Sequence, residues 1–181
     1  MLTSLRTYVQ ISLAKKMISK PIVLIGPMGV GKTTIGRKLS RKLGLPFVDT
    51  DVLVTKVHGP IPEIFSSEGE EAFRSYEEQA VSQALSQVQV IATGGGAVLS
   101  GQTQINLEAA IVIYLSTNGK HMKSRLDKGN RPLLQNGVDD WHRIYEERKP
   151  LYEGVCTFEI ETSEVGLAQT ISQICEKLDA L

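Results

Sequence analysis

The eight residues Gly26-Pro27-Met28-Gly29-Val30-Gly31-Lys32-Thr33 constrain this chain more than any other stretch, because they match the pattern G-x-x-x-x-G-K-[ST]. Glycines permit a tight turn whose consecutive N–H groups point inward at a phosphate. The apolar run Pro21 to Ile25 precedes the stretch. Lys32 to Leu43 follows it, with Ile35, Leu39 and Leu43 at helical spacing and Gly44 as the stop. A buried strand, a phosphate cradle and a helix are therefore predicted, with the helix's N-terminal amides and positive dipole end facing the same anion. Gly29, Val30, Gly31 and Thr34 fall in or beside the cradle, Lys32 can reach the β- and γ-phosphates, and the Thr33 hydroxyl can ligate Mg²⁺. The motif requires nucleotide binding without choosing among GTPases, motor ATPases and small-molecule kinases. No N-K-x-D guanine motif occurs, which disfavours a GTPase.

The remaining pattern extends this unit into an α/β domain. Leu45 to Asp49 reads as a second strand, and strand–loop–helix–strand suits a parallel sheet covered by helices. A short helix is predicted at 51–57 and a short turn at 61–65, separated by Gly59-Pro60, and a longer helix at 69–85. Strands follow at 88–92, 109–115 and 157–161, with helices at 118–126, 139–149 (limited by Pro150) and 165–178. Residues 128–140 form a polar excursion. The 181 residues suit one domain, and no repeat or linker divides them. We expect residues 21–181 to form that domain and residues 1–20 to be a flexible extension.

Composition excludes several classes of partner. A formal net charge of zero gives no general attraction to nucleic acid or anionic membranes. Basic residues are not interleaved with aromatics as in single-strand binders. No apolar stretch approaches the roughly 18 residues of a membrane helix. Cys156 and Cys175 read as buried thiols of a reducing, cytoplasmic compartment, and His58, His121 and His142 share no zinc-ligand spacing. Residues 1–20 carry Arg6, Lys15, Lys16 and Lys20 and no acid. A flexible tail or terminal helix, an upstream start with the true start at Met17, and an organellar targeting segment are the competing readings. The expected partner is a small-molecule substrate, and the expected state is a monomer.

Several side chains are candidates for chemistry. Asp49 and Asp51 follow the second strand, at the sheet edge where parallel sheets bind ligands. If the strand continues, residues two apart point the same way, so Asp49 could hold a magnesium-bound water and Asp51 could face an acceptor hydroxyl. Helix capping by Asp51 and a turn role for Asp49 are the structural alternatives. Glu70, Arg74 and Glu77 have helical pairing distances. Either they form surface pairs, or Glu77 holds Arg74 so that its fork grips a substrate carboxylate. Gly94-Gly95-Gly96 ends a strand, where a loop is either merely flexible or approached by a ligand. Arg131 lies in the polar excursion and is either a surface arginine or a lid group that reaches developing phosphate charge. Arg148 could bind substrate, and spacing alone does not decide this. Trp141 and Tyr145, four apart, read as a helix face rather than a base-stacking platform.

Taken together, the residues resemble the shikimate kinase family. The resemblance rests on Gly26 to Arg37, Asp49-Thr50-Asp51, Phe65-x-x-x-Gly69-Glu70-x-x-Phe73-Arg74-x-x-Glu77, Thr93 to Gly96, Arg131-Pro132-Leu133-Leu134 and Arg148-x-Pro150-Leu151-Tyr152, over about residues 21–178. It implies a P-loop kinase with a nucleoside-monophosphate-kinase-like three-layer α/β/α fold, a five-stranded parallel sheet, a substrate-binding helical region at 50–85 and a lid at 127–140. It also implies transfer of the γ-phosphoryl of ATP to the 3-hydroxyl of shikimate, with Mg²⁺, in aromatic amino-acid biosynthesis. By position, Asp51 resembles the carboxylate that orients the attacking hydroxyl and takes its proton. Arg74 and Arg148 resemble the carboxylate clamp, and the Gly95 N–H should meet a ring hydroxyl. Thr33 and Asp49 resemble the residues near Mg²⁺. Lys32 and Arg131 resemble the catalytic phosphate-binding cations, with Glu77 orienting Arg74. The adenine-stacking arginine common in the family falls on Ser124 here, with Arg125 one residue nearer the lid arginine, and a further arginine near 161–165 is missing. Arg125 is the expected adenine contact. A different P-loop small-molecule kinase, such as a gluconate kinase, and a catalytically inactive nucleotide-binding homologue are the alternatives.

Overall fold

The computed structural model describes residues 18–126, 133–134 and 136–181. At its centre are five parallel strands: β1 (Ile22–Ile25), β2 (Phe47–Asp49), β3 (Val90–Ala92), β4 (Ile111–Ser116) and β5 (Phe158–Glu161). Their order is β2-β3-β1-β4-β5. Register pairs Val23 with Ile91 on one side and with Val112 on the other. Strand β1 therefore lies between β3 and β4, and the loop leaving it opens at the point where the strand order reverses, the crevice that open α/β sheets use for ligands.

Alternation along the strands separates two cores. Ile22, Leu24, Val90, Ile113, Leu115 and Ile160 face one side, where they meet helices α1 (Lys32–Leu43) and α8 (Leu167–Asp179) through Ile35, Leu39, Ile171 and Ile174. Val23, Ile25, Ile91, Val112 and Tyr114 face the other. There they meet α5 (Gly101–Leu107), α6 (Met122–Leu126) and α7 (Val138–Val155). The result is the three-layer α/β/α architecture with an apolar sheet covered on both faces. Helices α2 (Thr50–His58), α3 (Ile61–Ser67) and α4 (Gly69–Leu85) stand beside β2 around a separate small cluster of Val54, Ile64, Phe73 and Ala80.

Some boundaries differ from the sequence expectation. Helix α7 does not stop at Pro150 but runs to Val155. A proline costs an interior helix hydrogen bond, but the turn that follows it buries Tyr152 to 1 % exposure and packs Leu151 and Val155 on the core. Helix α6 is only five residues long. The preceding Asn118 and Gly119 are drawn into a turn, their N–H groups donating to Ser163 Oγ (2.7 Å) and Thr117 Oγ1 (3.2 Å). The third strand begins at Val90, since Val88 is 38 % exposed and Gln89 turns its side chain onto the Ala84 carbonyl. Helix α5 was not anticipated. Its polar sequence carries little periodic signal, and its start is fixed by Ser100, whose hydroxyl accepts the Thr103 N–H at 3.0 Å.

Candidate active site

The phosphate loop leaves β1 and enters α1 through Gly31, whose φ of 107° is a left-handed conformation suited to glycine. Among the described residues no side chain caps α1, and its first turn holds no acid, so its N-terminus, which borders the cavity, suits an anion. The cavity has a volume of about 640 Å³, and Gly29, Gly31, Lys32, Thr33 and Thr34 all border it. Val30 packs its side chain into the core at 2 % exposure and borders a second hollow of about 310 Å³, between the loop and Thr162, Val165 and Thr170. Lys32 is buried, its Nζ donating to the carbonyls of Gly26 (2.7 Å) and Pro27 (2.9 Å).

The two aspartates reach the cavity by a route the sequence did not suggest. The strand does not continue past Asp49. Helix α2 begins at Thr50. The capping role belongs to Asp49, whose Oδ1 accepts the Asp51 N–H at 3.1 Å, while its Oδ2 accepts the Thr33 hydroxyl at 2.6 Å. Asp51 lies in the first turn of α2, yet both carboxylates border the same cavity. One Asp51 oxygen is buried with no hydrogen-bond partner among the described residues. Burial pushes its carboxyl up to about 6, helped by the charges of Glu77 and Asp49 and opposed by Lys32 and Arg74.

Opposite the phosphate loop, Arg74 on α4 donates to Glu77 at 2.6 Å and to Glu70 at 2.9 Å. Glu77 is 2 % exposed, and burial raises its pKa against the pull of Arg74. Burial works to lower the Arg74 pKa, but Glu77 and Glu70 outweigh it and the net shift is upward. Gly94 and Gly96 explain why this charged pair fits against the β3 loop. A Cβ on Gly94 would overlap the Glu77 carboxylate, and one on Gly96 would overlap the Arg74 guanidinium. The glycine triplet is therefore a surface on which the ionic groups rest.

Helix α7 closes the site from the third side. Arg148, 7 % exposed, donates to the Gly95 carbonyl at 3.1 Å, and the Tyr152 hydroxyl donates to the same oxygen at 2.5 Å. Trp141, on the same helix stripe, donates its indole N–H to the Met28 carbonyl at 2.9 Å. The cavity thus brings together Lys32, Thr33, Asp49, Asp51, Arg74, Gly95 and Arg148. Tyr152 and Trp141 were not singled out as site residues. The i, i+4 relation of Tyr152 to Arg148 was a usable signal, masked by treating Pro150 as a helix end. Arg131 and the side chain of Arg125 lie outside the described residues.

Known proteins resemble this arrangement closely. The family model described as Shikimate kinase matches residues 28–179. A shikimate kinase of Pseudoalteromonas translucida (strain TAC 125) is 42% identical over 166 residues, covering 87% of this chain and 96% of that protein. The solved structure of a shikimate kinase from Acinetobacter baumannii in complex with shikimate superposes with a TM-score of 0.86 at 36% identity, covering 92% of this chain and 97% of that one. A gluconokinase from Sinorhizobium meliloti 1021 superposes with a TM-score of 0.60 at 17% identity, a likeness of fold alone.

Proposed function

The chain belongs to the shikimate kinase family and catalyses the ATP-dependent phosphorylation of shikimate to shikimate 3-phosphate, and on that premise we propose how its side chains divide the work. Asp51 orients the 3-hydroxyl and takes its proton as the phosphoryl group arrives. A carboxylate raised toward neutrality is a better base than an ordinary one, yet it remains mostly ionised at pH 7. Arg74 and Arg148 hold the shikimate carboxylate with charged, forked hydrogen bonds, Glu77 keeps Arg74 in position, and the Gly95 N–H meets a ring hydroxyl. Lys32 and the amides of Gly29 to Thr34 hold the phosphates, with Arg131 of the lid adding charge as transfer proceeds.

Mg²⁺ fits the donors present. Thr33 Oγ1 and Asp49 Oδ2 are 2.6 Å apart at the cavity wall, and a hydroxyl with one carboxylate is the sparse oxygen set Mg²⁺ takes when phosphates supply the rest. Bound there with the nucleotide, it would neutralise phosphate charge. We assign residues 50–85 to the substrate-binding region, 127–140 to the lid and 1–20 to an extension of a domain spanning 21–181. We further propose a monomer in the cytoplasm. Cys156 and Cys175 are free, half-buried rather than buried, and free thiols suit a reducing compartment.

One observation carries this division: a buried acid, one oxygen of which has no partner among the described residues, borders the same cavity as a phosphate cradle and two arginines. The test is release of ADP by purified protein with Mg²⁺ and ATP, in the presence of shikimate, of gluconate or of neither. Release that depends on shikimate is expected. Release with gluconate alone, or no acceptor dependence, overturns the reading.

A further inference from the structure

Trp141 is the largest fully buried side chain of the described residues, at 1 % exposure, and it sits in the first turn of α7. Its ring is held on several sides. Tyr145 lies 5.0 Å away between centroids, His142 meets it edge-on at 5.0 Å, and Gly119 lies beneath it so closely that an added Cβ would come within 3.1 Å of Cζ3. Packing alone would be satisfied by any large aromatic ring. The indole N–H does something more specific: it crosses 113 positions of sequence to the Met28 carbonyl, inside the phosphate loop.

The direction of that bond matters because a peptide unit is rigid. In a trans peptide the carbonyl of Met28 and the N–H of Gly29 lie on opposite sides of one plane, and the described chain has no cis peptide bond. Holding the Met28 oxygen toward α7 therefore turns the Gly29 N–H the other way. Gly29 borders both the main cavity and the second hollow beside the loop. A loop glycine has many accessible backbone states, so an external hydrogen bond is a physical means of selecting one of them.

We propose that Trp141 is a positioning residue for nucleotide binding: its indole N–H sets the orientation of the Met28–Gly29 peptide and so of the amide that Gly29 presents to the phosphates. Helix α7 then serves two loops from one stripe. Trp141 steadies the phosphate loop, and Arg148 and Tyr152 steady the glycine triplet through the Gly95 carbonyl. The inference rests on reading residues 26–33 as the nucleotide phosphate site.

Trp141→Phe separates the two roles, since phenylalanine keeps an aromatic ring in the packing and lacks the donor. Wild type and variant are compared for KM toward ATP, KM toward shikimate and thermal midpoint. Loss of one hydrogen bond predicts a rise in the ATP KM of about three- to tenfold, with the shikimate KM held. An ATP KM at the wild-type value, or a shikimate KM that rises by the same factor, overturns the proposal. Absence of shikimate-dependent turnover in the wild type would instead strike the functional reading. Should the variant not fold, the wild type supplies the answer, because the chain has 1 tryptophan and hence a single indole N–H resonance. That resonance should move on saturation with ADP and stay in place with shikimate alone. A resonance that ignores ADP, or that follows shikimate equally, overturns the proposal.

Discussion

The sheet and the helices α2 to α4 wall the same cavity from two sides, and they are held by different amounts of buried surface. Every residue of β1 is 0 % exposed, with apolar layers on both faces. The helical side has a small cluster of its own, Val54, Ile64, Phe73 and Ala80, and reaches the sheet core mainly at the end of α4, through Ala84 and Leu85, and through Leu53 of α2. The proposed chemistry divides along the same line. In that proposal, phosphate recognition falls to backbone amides and one ammonium, on a loop between a fully buried strand and its helix. Acceptor recognition falls to the side chains Asp51, Arg74 and Glu77 on the helical side. Regions with little buried apolar contact open at low cost, and such regions are the ones able to close over a ligand. Arg148 belongs to α7 on the sheet side, so the proposed carboxylate clamp spans the seam between them.

Mutations on each side test this division. Lys32→Ala should give the largest effect, a fall in kcat of at least about 10³-fold with the fold intact, read by coupled ADP assay and circular dichroism. Residual turnover near wild type would mean that the loop amides suffice. Asp51→Asn should lower kcat on the order of 10²-fold while nucleotide affinity, measured by ADP titration, stays put. An unchanged kcat would remove Asp51 from the chemistry. Arg74→Ala and Arg148→Ala should each raise the shikimate KM about ten- to a hundredfold with the ATP KM unaltered. A clamp residing on one side only would show up as a single sensitive arginine.

The smallest effect is on stability, and its sign is opposite to that on activity. The folded-state pKa of Asp51, about 6, lies above the ordinary 3.8, so the folded protein binds this proton more tightly than the unfolded chain. Ionising Asp51 therefore costs stability, from nothing below about pH 3.8 to its full amount above about pH 6. Asp51→Asn should raise the stability of the ligand-free protein by ~2 kcal/mol at pH 7, and the gain should vanish toward pH 4. Denaturant melts at the two pH values measure it, and an equal or larger gain at pH 4 would contradict the burial argument.

Much of the fold and of the site is legible in the sequence. The phosphate loop, its strand and its helix were readable because glycine and lysine spacing there answers directly to backbone geometry. β1, β3 and β4 are readable as short apolar runs, and β5 by the alternation of Phe158, Glu159, Ile160 and Glu161. The aspartates were found for a partly mistaken reason, since the argument from strand alternation fails where α2 starts at Thr50. By local propensity Pro150 marks a helix end, and only the long-range contact of Tyr152 carries α7 past it. Helix α5 carries too few apolar residues to mark its face. The support of Arg74 by Glu77 was visible as spacing, but its resting place on Gly94 and Gly96 depends on residues far apart in the chain. The same holds for Trp141 and Met28.

Lys32, with its ammonium drawn back onto the Gly26 and Pro27 carbonyls, has a consequence for selectivity among anions. The cradle holds its cation from within, so an incoming phosphate competes with two carbonyls for the N–H groups of that ammonium. A stray sulfate or inorganic phosphate brings little to exchange for them, whereas a polyphosphate tail that also engages the loop amides brings several contacts at once. On the proposed reading, that competition favours ligands that bring several phosphates together, before any acceptor is present.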